Sequence, residues 1–290
     1  MVDTNPDSNA DPNRDPNLGT YNSPEVVEHY AALNYLSPCE RLLFDEYLHP
    51  EMAILDLGVG GGRTTPYLSS IAASYVGVDY APEMIAVCRK KFPALEFELG
   101  SAADLSSFAA SSFHAVVMAF NALDYVVPDE ARFRALQEIH RVLKPEGILI
   151  FSSHNPRSIW VRPSWNPKRV QDLAESMLKA DSVLFRPLLW SLTAARIILA
   201  GMQTIYRSLG RVARRLFTRA FWSGEGYWMD PVHGGVETHG AAPREVTCEL
   251  SRFGFRLLRA LGDDYPLVSP LYITDWYYYV FSKSAMSGKK

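Results

Sequence analysis

The sequence predicts an α/β fold, an open sheet with a nucleoside-cofactor site at the strand ends. Three observations carry that prediction. Ala53-Ile54-Leu55-Asp56-Leu57 is a short apolar run holding one acid, and Gly58-Val59-Gly60-Gly61-Gly62-Arg63 follows at once. This reads as a buried strand breaking into a tight turn that opens a helix. About twenty residues later, Tyr75-Val76-Gly77-Val78-Asp79 is a second apolar run ending in an acid. Beyond it, apolar runs of strand length continue to alternate with helical periodicities as far as Ile150, the pattern of an α/β sheet.

The glycine spacing separates two cofactor classes. A nicotinamide or flavin fingerprint needs glycines at relative positions one, three and six, the last for close helix–strand packing. Gly58 and Gly60 fit, but Arg63 stands at position six. The glycines fall at one, three and five, with Asp56 two residues before the first. This segment resembles motif I of the class I S-adenosylmethionine-dependent methyltransferases. The resemblance implies a Rossmann-like seven-stranded sheet of order 3-2-1-4-5-7-6, with the last strand antiparallel. It also implies a cofactor site of Asp56, Gly58, Gly60, Gly62, Asp79, Tyr80, Met84, Ser101, Ala102, Ala103, Phe120 and Asn121. The chemistry agrees. S-adenosylmethionine has no pyrophosphate to seat on a helix N-terminus. Glycines let backbone approach its methionyl part, and Asp79 suits bidentate acceptance from two ribose hydroxyls. A glycine-rich turn with two helix-capping acids is the bland alternative.

With 290 residues, the chain has room for one large domain or one domain with an insertion. It is 48% hydrophobic and 21% charged, an ordinary globular composition. A net charge of −3 gives no global signal for nucleic acid. Cys39, Cys88 and Cys248 are scattered without metal spacing and read as reduced thiols. The polar N-terminus lacks the apolar segment of a signal peptide. A cytoplasmic protein is expected.

Residues 1–20 are rich in Asp, Asn and Pro and read as a disordered tail. Two helices follow, opened by Ser23-Pro24 and by Ser37-Pro38-Cys39-Glu40. By resemblance they fold over the cofactor and bring Tyr30 near it. Thr64 to Ala72 forms the next helix, and Ala81-Pro82 opens another that runs to Lys91. Leu95–Leu99 is the third strand. The loop after it, Gly100-Ser101-Ala102-Ala103-Asp104-Leu105, resembles the family's adenine loop, with Ser101 in place of the usual Asp.

Ala115–Ala119 is the fourth strand, preceded by a structural His114. Phe120-Asn121-Ala122-Leu123-Asp124-Tyr125 resembles motif IV, beside the transferable methyl, but lacks the Asn/Asp-Pro-Pro-Tyr/Phe pattern of nucleobase methylation. Asp124 and Tyr125 are candidate substrate residues, and Asp124 is also a candidate helix cap. Glu130 to Leu143 reads as a helix with a solvated His140. Leu143-Lys144-Pro145-Glu146-Gly147 ends that helix and turns into the fifth strand.

Residues 156–239 read as a mainly helical insertion between core segments 21–155 and 240–285. Its middle, Asp181–Phe217, is basic and amphipathic. It fits a lid over the acceptor, an oligomer interface, or a helix lying on a membrane surface. Arg196, centred in its longest apolar stretch, argues against a membrane span. The segment 224–239 is dense in aromatic, His and Gly residues, and Tyr227 and Trp228 are candidate substrate contacts. His154, His233 and His239 are candidate bases; their spacing matches no metal motif. Ala242-Pro243 opens a helix, Phe253–Leu261 is the sixth strand, and Tyr272–Phe281 is the last.

The function expected is transfer of a methyl group from S-adenosylmethionine, leaving S-adenosylhomocysteine. The acceptor would be an O, N or C atom of a small-molecule or lipid-like partner, with no nucleic acid partner. A non-catalytic adenosylmethionine-binding module and an NAD-dependent oxidoreductase remain as alternatives.

Overall fold

The computed structural model describes residues 17–158, 209, 218–230, 236–263 and 274–284. Three helices lead: α1 (Leu18–Tyr21), α2 (Pro24–Ala32) and α3 (Pro38–Tyr47). Ser37 and Glu40 form a reciprocal capping box that fixes the start of α3: Glu40 N–H donates to Ser37 Oγ at 3.1 Å, and Ser37 N–H to Glu40 Oε2 at 2.8 Å.

The alternating part of the chain then runs β1 (Ala53–Leu57), α4 (Thr65–Ile71), β2 (Ser74–Asp79), α5 (Pro82–Lys91), β3 (Glu96–Leu99), β4 (Phe113–Met118), α6 (Asp129–Val142) and β5 (Leu143–His154). After these come α7 (Arg219–Ser223), a hairpin of β6 (Glu225–Asp230) and β7 (Val236–Ala241), α8 (Pro243–Arg252), β8 (Phe255–Gly262) and β9 (Trp276–Lys283). The main sheet has order β3-β2-β1-β4-β5-β9-β8. With the separate hairpin set aside, this is the expected 3-2-1-4-5-7-6 arrangement. β9 pairs antiparallel with both β5 and β8, and the other neighbours are parallel.

Side-chain alternation splits the apolar residues between two cores, one on each sheet face. Leu55 and Leu57 join Val116, Leu149, Tyr279 and Phe281 on one side. Ile54 joins Val117, Ile150 and Val280 on the other. Strands apolar on both faces are what a sheet covered on both sides requires. The turn at 144–147 lies within β5. Leu143 pairs with Phe113, pairing resumes at Ile148 with Ala115, and Glu146 between them takes φ +59°. His114, as expected, is structural: its Nδ1 accepts from the Ala53 N–H at 2.9 Å.

Three expectations need correction. The disordered tail was expected to reach residue 20. Residues 1–16 lie outside the described residues, but Asn17 is buried and α1 begins at Leu18, because a backbone edge and an aromatic cluster give this polar stretch partners. His140 is not solvated. It is half-buried and packs edge-on to Phe255 at 5.3 Å, and desolvation lowers its pKa. Finally, the described end of the 156–239 segment is the five-residue α7 and a β-hairpin, where 224–239 read as a loop, and β7 continues to Ala241, across the expected boundary at 240. Asp181–Phe217, Leu209 apart, lies outside the described residues, as does His233. Among the described residues no helix is long and apolar enough to cross a membrane.

Candidate active site

A cleft enclosing about 980 Å³, its mouth included, opens at the C-terminal ends of β1, β2 and β4. Ligands bind at this edge in open α/β sheets. Its floor is the glycine turn. Gly58 takes φ +72°, and a Cβ there would meet Ala122 Cβ at 2.7 Å. At Gly61 a Cβ would meet the Tyr30 carbonyl at 2.5 Å, so α2 rests directly on the turn. Gly60 and Gly62 also have positive φ, 54° and 81°.

Asp79 closes the turn from β2. One carboxylate oxygen accepts the Gly60 N–H at 2.8 Å, and the other the Ala81 N–H at 2.9 Å. A carboxylate oxygen can accept more than one hydrogen bond, so a ligand hydroxyl can be accepted beside these N–H groups. Tyr80 and Met84, then Ser101 and Ala102, form one wall; Phe120 and Tyr125 form another, and Tyr21 and Tyr30 roof the cleft. Tyr21 meets Tyr30, Tyr80 and Tyr125 edge-on at 5.8 to 6.1 Å.

Asp56, Gly62, Ala103 and Asn121, expected at the cofactor, do not line this cleft. Asp56 lies behind the turn, where its Oδ2 accepts from Thr64 Oγ1 at 2.7 Å and Tyr75 Oη at 2.9 Å. Burial pushes its carboxyl up to about 6. Arg63, at the position where a nicotinamide fingerprint has glycine, makes a buried two-pronged pair with Glu40 at 2.5 and 2.7 Å and donates to the Tyr35 carbonyl at 2.9 Å. It ties the α2–α3 link to the cofactor turn, and Phe120 lies 5.0 Å over its guanidinium.

Past β4 the backbone turns sharply: Phe120 and Asn121 both take positive φ, 57° and 63°. Such strain collects at functional sites. The Asn121 N–H donates to Ser152 Oγ at 2.8 Å. Asp124, in the 3-10 turn Ala122–Tyr125, has no exposed surface. It neither lines the cleft nor caps a helix; its Oδ2 accepts the His154 N–H at 2.7 Å and contacts His154 Nδ1 at 2.8 Å. Adjacency of β4 and β5 brings these residues together across thirty positions of sequence.

The hairpin covers the same corner. Trp228 stands over His154 at 6.0 Å and lies against Gly240, where a Cβ would meet it at 2.2 Å. Tyr227 hydrogen-bonds Asp129. His239, on β7 of the hairpin, is buried, its Nε2 3.7 Å from Glu225 and its ring edge-on to Tyr227. Among the described residues no group of three or more His, Cys, Asp or Glu side chains could hold a metal.

Residues missed in the sequence are Asn17, Tyr21, Glu40, Arg63 and Arg132. Arg63 alone carried a signal, as a charge directly after the glycines. Arg132 is fully buried; it meets Glu249 at 2.8 and 2.9 Å and the Leu123 carbonyl at 2.8 Å, pinning the turn that holds Asp124.

Comparison with known proteins agrees with this geometry. Residues 54–147 match the family model described as a methyltransferase domain. The demethylmenaquinone methyltransferase of Chlorobaculum parvum is 39% identical over 98 residues, 33% of this chain and 39% of that protein. The chain covers less than half the length of the first curated relatives it matches. Among solved structures, the CcbJ methyltransferase from Streptomyces caelestis superposes with a TM-score of 0.55 at 16% identity, over 92% of this chain and 98% of that one. The 1,6-didemethyltoxoflavin-N1-methyltransferase of Burkholderia thailandensis, solved with 1,6-didemethyltoxoflavin and S-adenosylhomocysteine, gives 0.51 at 13% identity, over 86% and 77%. At such identities the likeness is one of fold. Residues 54–147 thus match a methyltransferase domain, and the sheet has the strand order expected of that fold.

Proposed function

We propose that this chain is an S-adenosylmethionine-dependent methyltransferase acting on a small-molecule or lipid-like acceptor. The single observation that carries the reading is the pairing of Asp79 with the glycine turn at the head of an apolar cleft. The residues present fit this cofactor. Gly58 and Gly60 leave room for its methionyl part; Asp79 brings to the cleft a carboxylate, the acceptor type a ribose diol needs; Tyr80, Met84, Ser101 and Ala102 surround a space suited to a flat base. Arg63, where a nicotinamide fingerprint has glycine, is held by Glu40.

Bound S-adenosylmethionine supplies a methyl group already activated by its sulfonium. What the protein adds is orientation and water exclusion. Phe120 and Tyr125 wall the cleft at the end of β4, and Tyr21 and Tyr30 cover it. The aromatic lining supports an apolar or aromatic acceptor over a polymeric one. The methyltransferase named for demethylmenaquinone among the relatives points the same way. A cytoplasmic location belongs to this proposal, as does peripheral membrane contact through 181–217.

Calorimetry with S-adenosylmethionine, S-adenosylhomocysteine and NAD tests the reading. Micromolar binding of the first two with none of NAD is expected. NAD binding, or no binding of either adenosyl compound, overturns it.

A further inference from the structure

Three histidines compete as base, and the geometry separates them. His239, on β7, is buried beside Glu225 of β6, and His233 lies outside the described residues. His154 sits at the C-terminal end of β5, beside the strained turn after β4, with 19% of its side chain exposed. Asp124 Oδ2 already accepts the His154 backbone N–H, so it acts as acceptor toward Nδ1 as well. Nδ1 therefore carries the ring proton, and Nε2 keeps its lone pair. Asn121 Nδ2, 3.2 Å away, donates to that lone pair.

A second observation points to a ligand here. Asn121 is 2% exposed, and its Oδ1 has no partner; the Oδ1 of Asp124 is likewise buried and unpartnered. Buried orphan oxygens are rare and call for an explanation. A donor group entering beside Asn121 would satisfy one. The walls are aromatic: Tyr125 lies 5.9 Å from the His154 ring, and Trp276 lies 6.2 Å from it and 5.6 Å from Phe120. Phe120 and Tyr125 also line the cofactor cleft, so these residues border it.

We infer that His154 is the general base of this site, held in its basic tautomer by Asp124, and that the acceptor is an aromatic hydroxyl of the phenol or quinol class. The inference rests on the methyltransferase reading above. The hydroxyl replaces Asn121 as partner of Nε2 and gives its proton to it. The electron pair released on the acceptor forms the new bond to the methyl carbon as the S–C bond breaks, and sulfur keeps that bond's pair as the neutral thioether. The products are the methylated acceptor, S-adenosylhomocysteine and an imidazolium facing the Asp124 carboxylate. His154 is the catalytic residue and Asp124 a positioning residue.

The test uses the full chain and S-adenosylmethionine radiolabelled on the methyl. The probes are a naphthoquinol, catechol and 4-nitrophenol, with aniline and cyclohexanol as controls. Expected is label in at least one phenolic probe and in neither control. His154→Gln should lower kcat on that probe by about 100-fold or more while S-adenosylhomocysteine affinity stays within about threefold. Asp124→Asn should lower kcat with little change in KM. Nitrogen-15 spectra of the parent imidazole, assigned by the signal missing from the His154→Gln variant, should show protonated Nδ1; Asp124→Asn should shift the ring toward the other tautomer. Should His154→Gln misfold, the Asp124→Asn spectrum and kinetics still decide. Label in no phenol while S-adenosylhomocysteine binds, unchanged kcat in His154→Gln, or a parent ring protonated on Nε2 would each overturn the inference and leave the methyltransferase reading standing. Failure of S-adenosylhomocysteine to bind would overturn both.

Discussion

Asn17 and Glu237 hold each other as two paired strands would. Asn17 Nδ2 donates to the Glu237 carbonyl at 2.9 Å, and the Glu237 N–H donates to Asn17 Oδ1 at 3.0 Å. The side chain thus imitates a backbone edge and fastens the start of α1 to β7. Tyr21, four residues on, is the roof that this attachment holds down.

Asn17→Ala should loosen that roof. Two neutral hydrogen bonds, each worth about 1 kcal/mol net, bear on the closed state. S-adenosylhomocysteine should bind roughly 5- to 30-fold more weakly, with the loss in the dissociation rate measured by stopped-flow. An unchanged dissociation rate would show that the roof stays shut without the attachment.

Asp79→Ala should act on the same ligand by a different route. It removes the acceptor for the ribose hydroxyls and strands the Gly60 and Ala81 N–H groups. Hydrogen bonds to a charged group are worth about 1.5 to 3 kcal/mol, so affinity should fall roughly 10- to 150-fold. Asp79→Asn keeps one acceptor oxygen and should lose less. Calorimetric titration of the three proteins reads this directly. Equal affinities for parent and Ala variant would move the cofactor elsewhere.

The contrast between these residues explains how far the sequence could be read. Asp79 is legible because strand, acid and turn are local: apolar alternation gives the strand, and the acid closes it. The sheet order followed from the same segments through a family resemblance. Asn17 is illegible because its partner is 220 positions away and its role is backbone mimicry, which composition hides. Asp124 shows the same limit within the site. Its position after β4 was readable, but its direction depends on which side chain β5 brings alongside. Arg132 sits on α6, and its partner Glu249 comes from α8, 117 positions away.

Arg132→Met should expose that hidden dependence. The guanidinium has no exposed surface and meets Glu249 in a two-pronged pair. Removing one partner of a buried pair leaves the other charge uncompensated, a loss of about 3 to 5 kcal/mol. Arg132→Met with Glu249→Leu should recover most of it, since two apolar residues can replace a buried pair at little cost. Urea unfolding measures each; a double variant no more stable than the single would contradict this account. The Leu123 carbonyl also loses its donor, so kcat should remain low in the double variant even where stability returns.

Asp56 gives a pH dependence whose sign follows from its burial. Desolvation raises its carboxyl from 3.8 to about 6, against the lowering effect of the Thr64 and Tyr75 hydroxyls and Arg63. In the unfolded chain it returns to about 3.9. Between about pH 4 and 6 the native state therefore holds more proton than the unfolded state, and acid stabilises the fold through this residue. The charge costs stability above pH 6, where it must be buried ionised. The raised value is worth roughly 3 kcal/mol between the two protonation states. Asp56→Asn has no proton to bind and keeps an oxygen for both hydroxyls. Parent stability minus variant stability should accordingly rise as pH falls from 7 to 4, by up to roughly 3 kcal/mol, while every other carboxylate cancels in the difference. Urea unfolding of both proteins at several pH values supplies the numbers. A difference independent of pH would mean that Asp56 stays ionised, with the hydroxyls and Arg63 outweighing the cost of burying it.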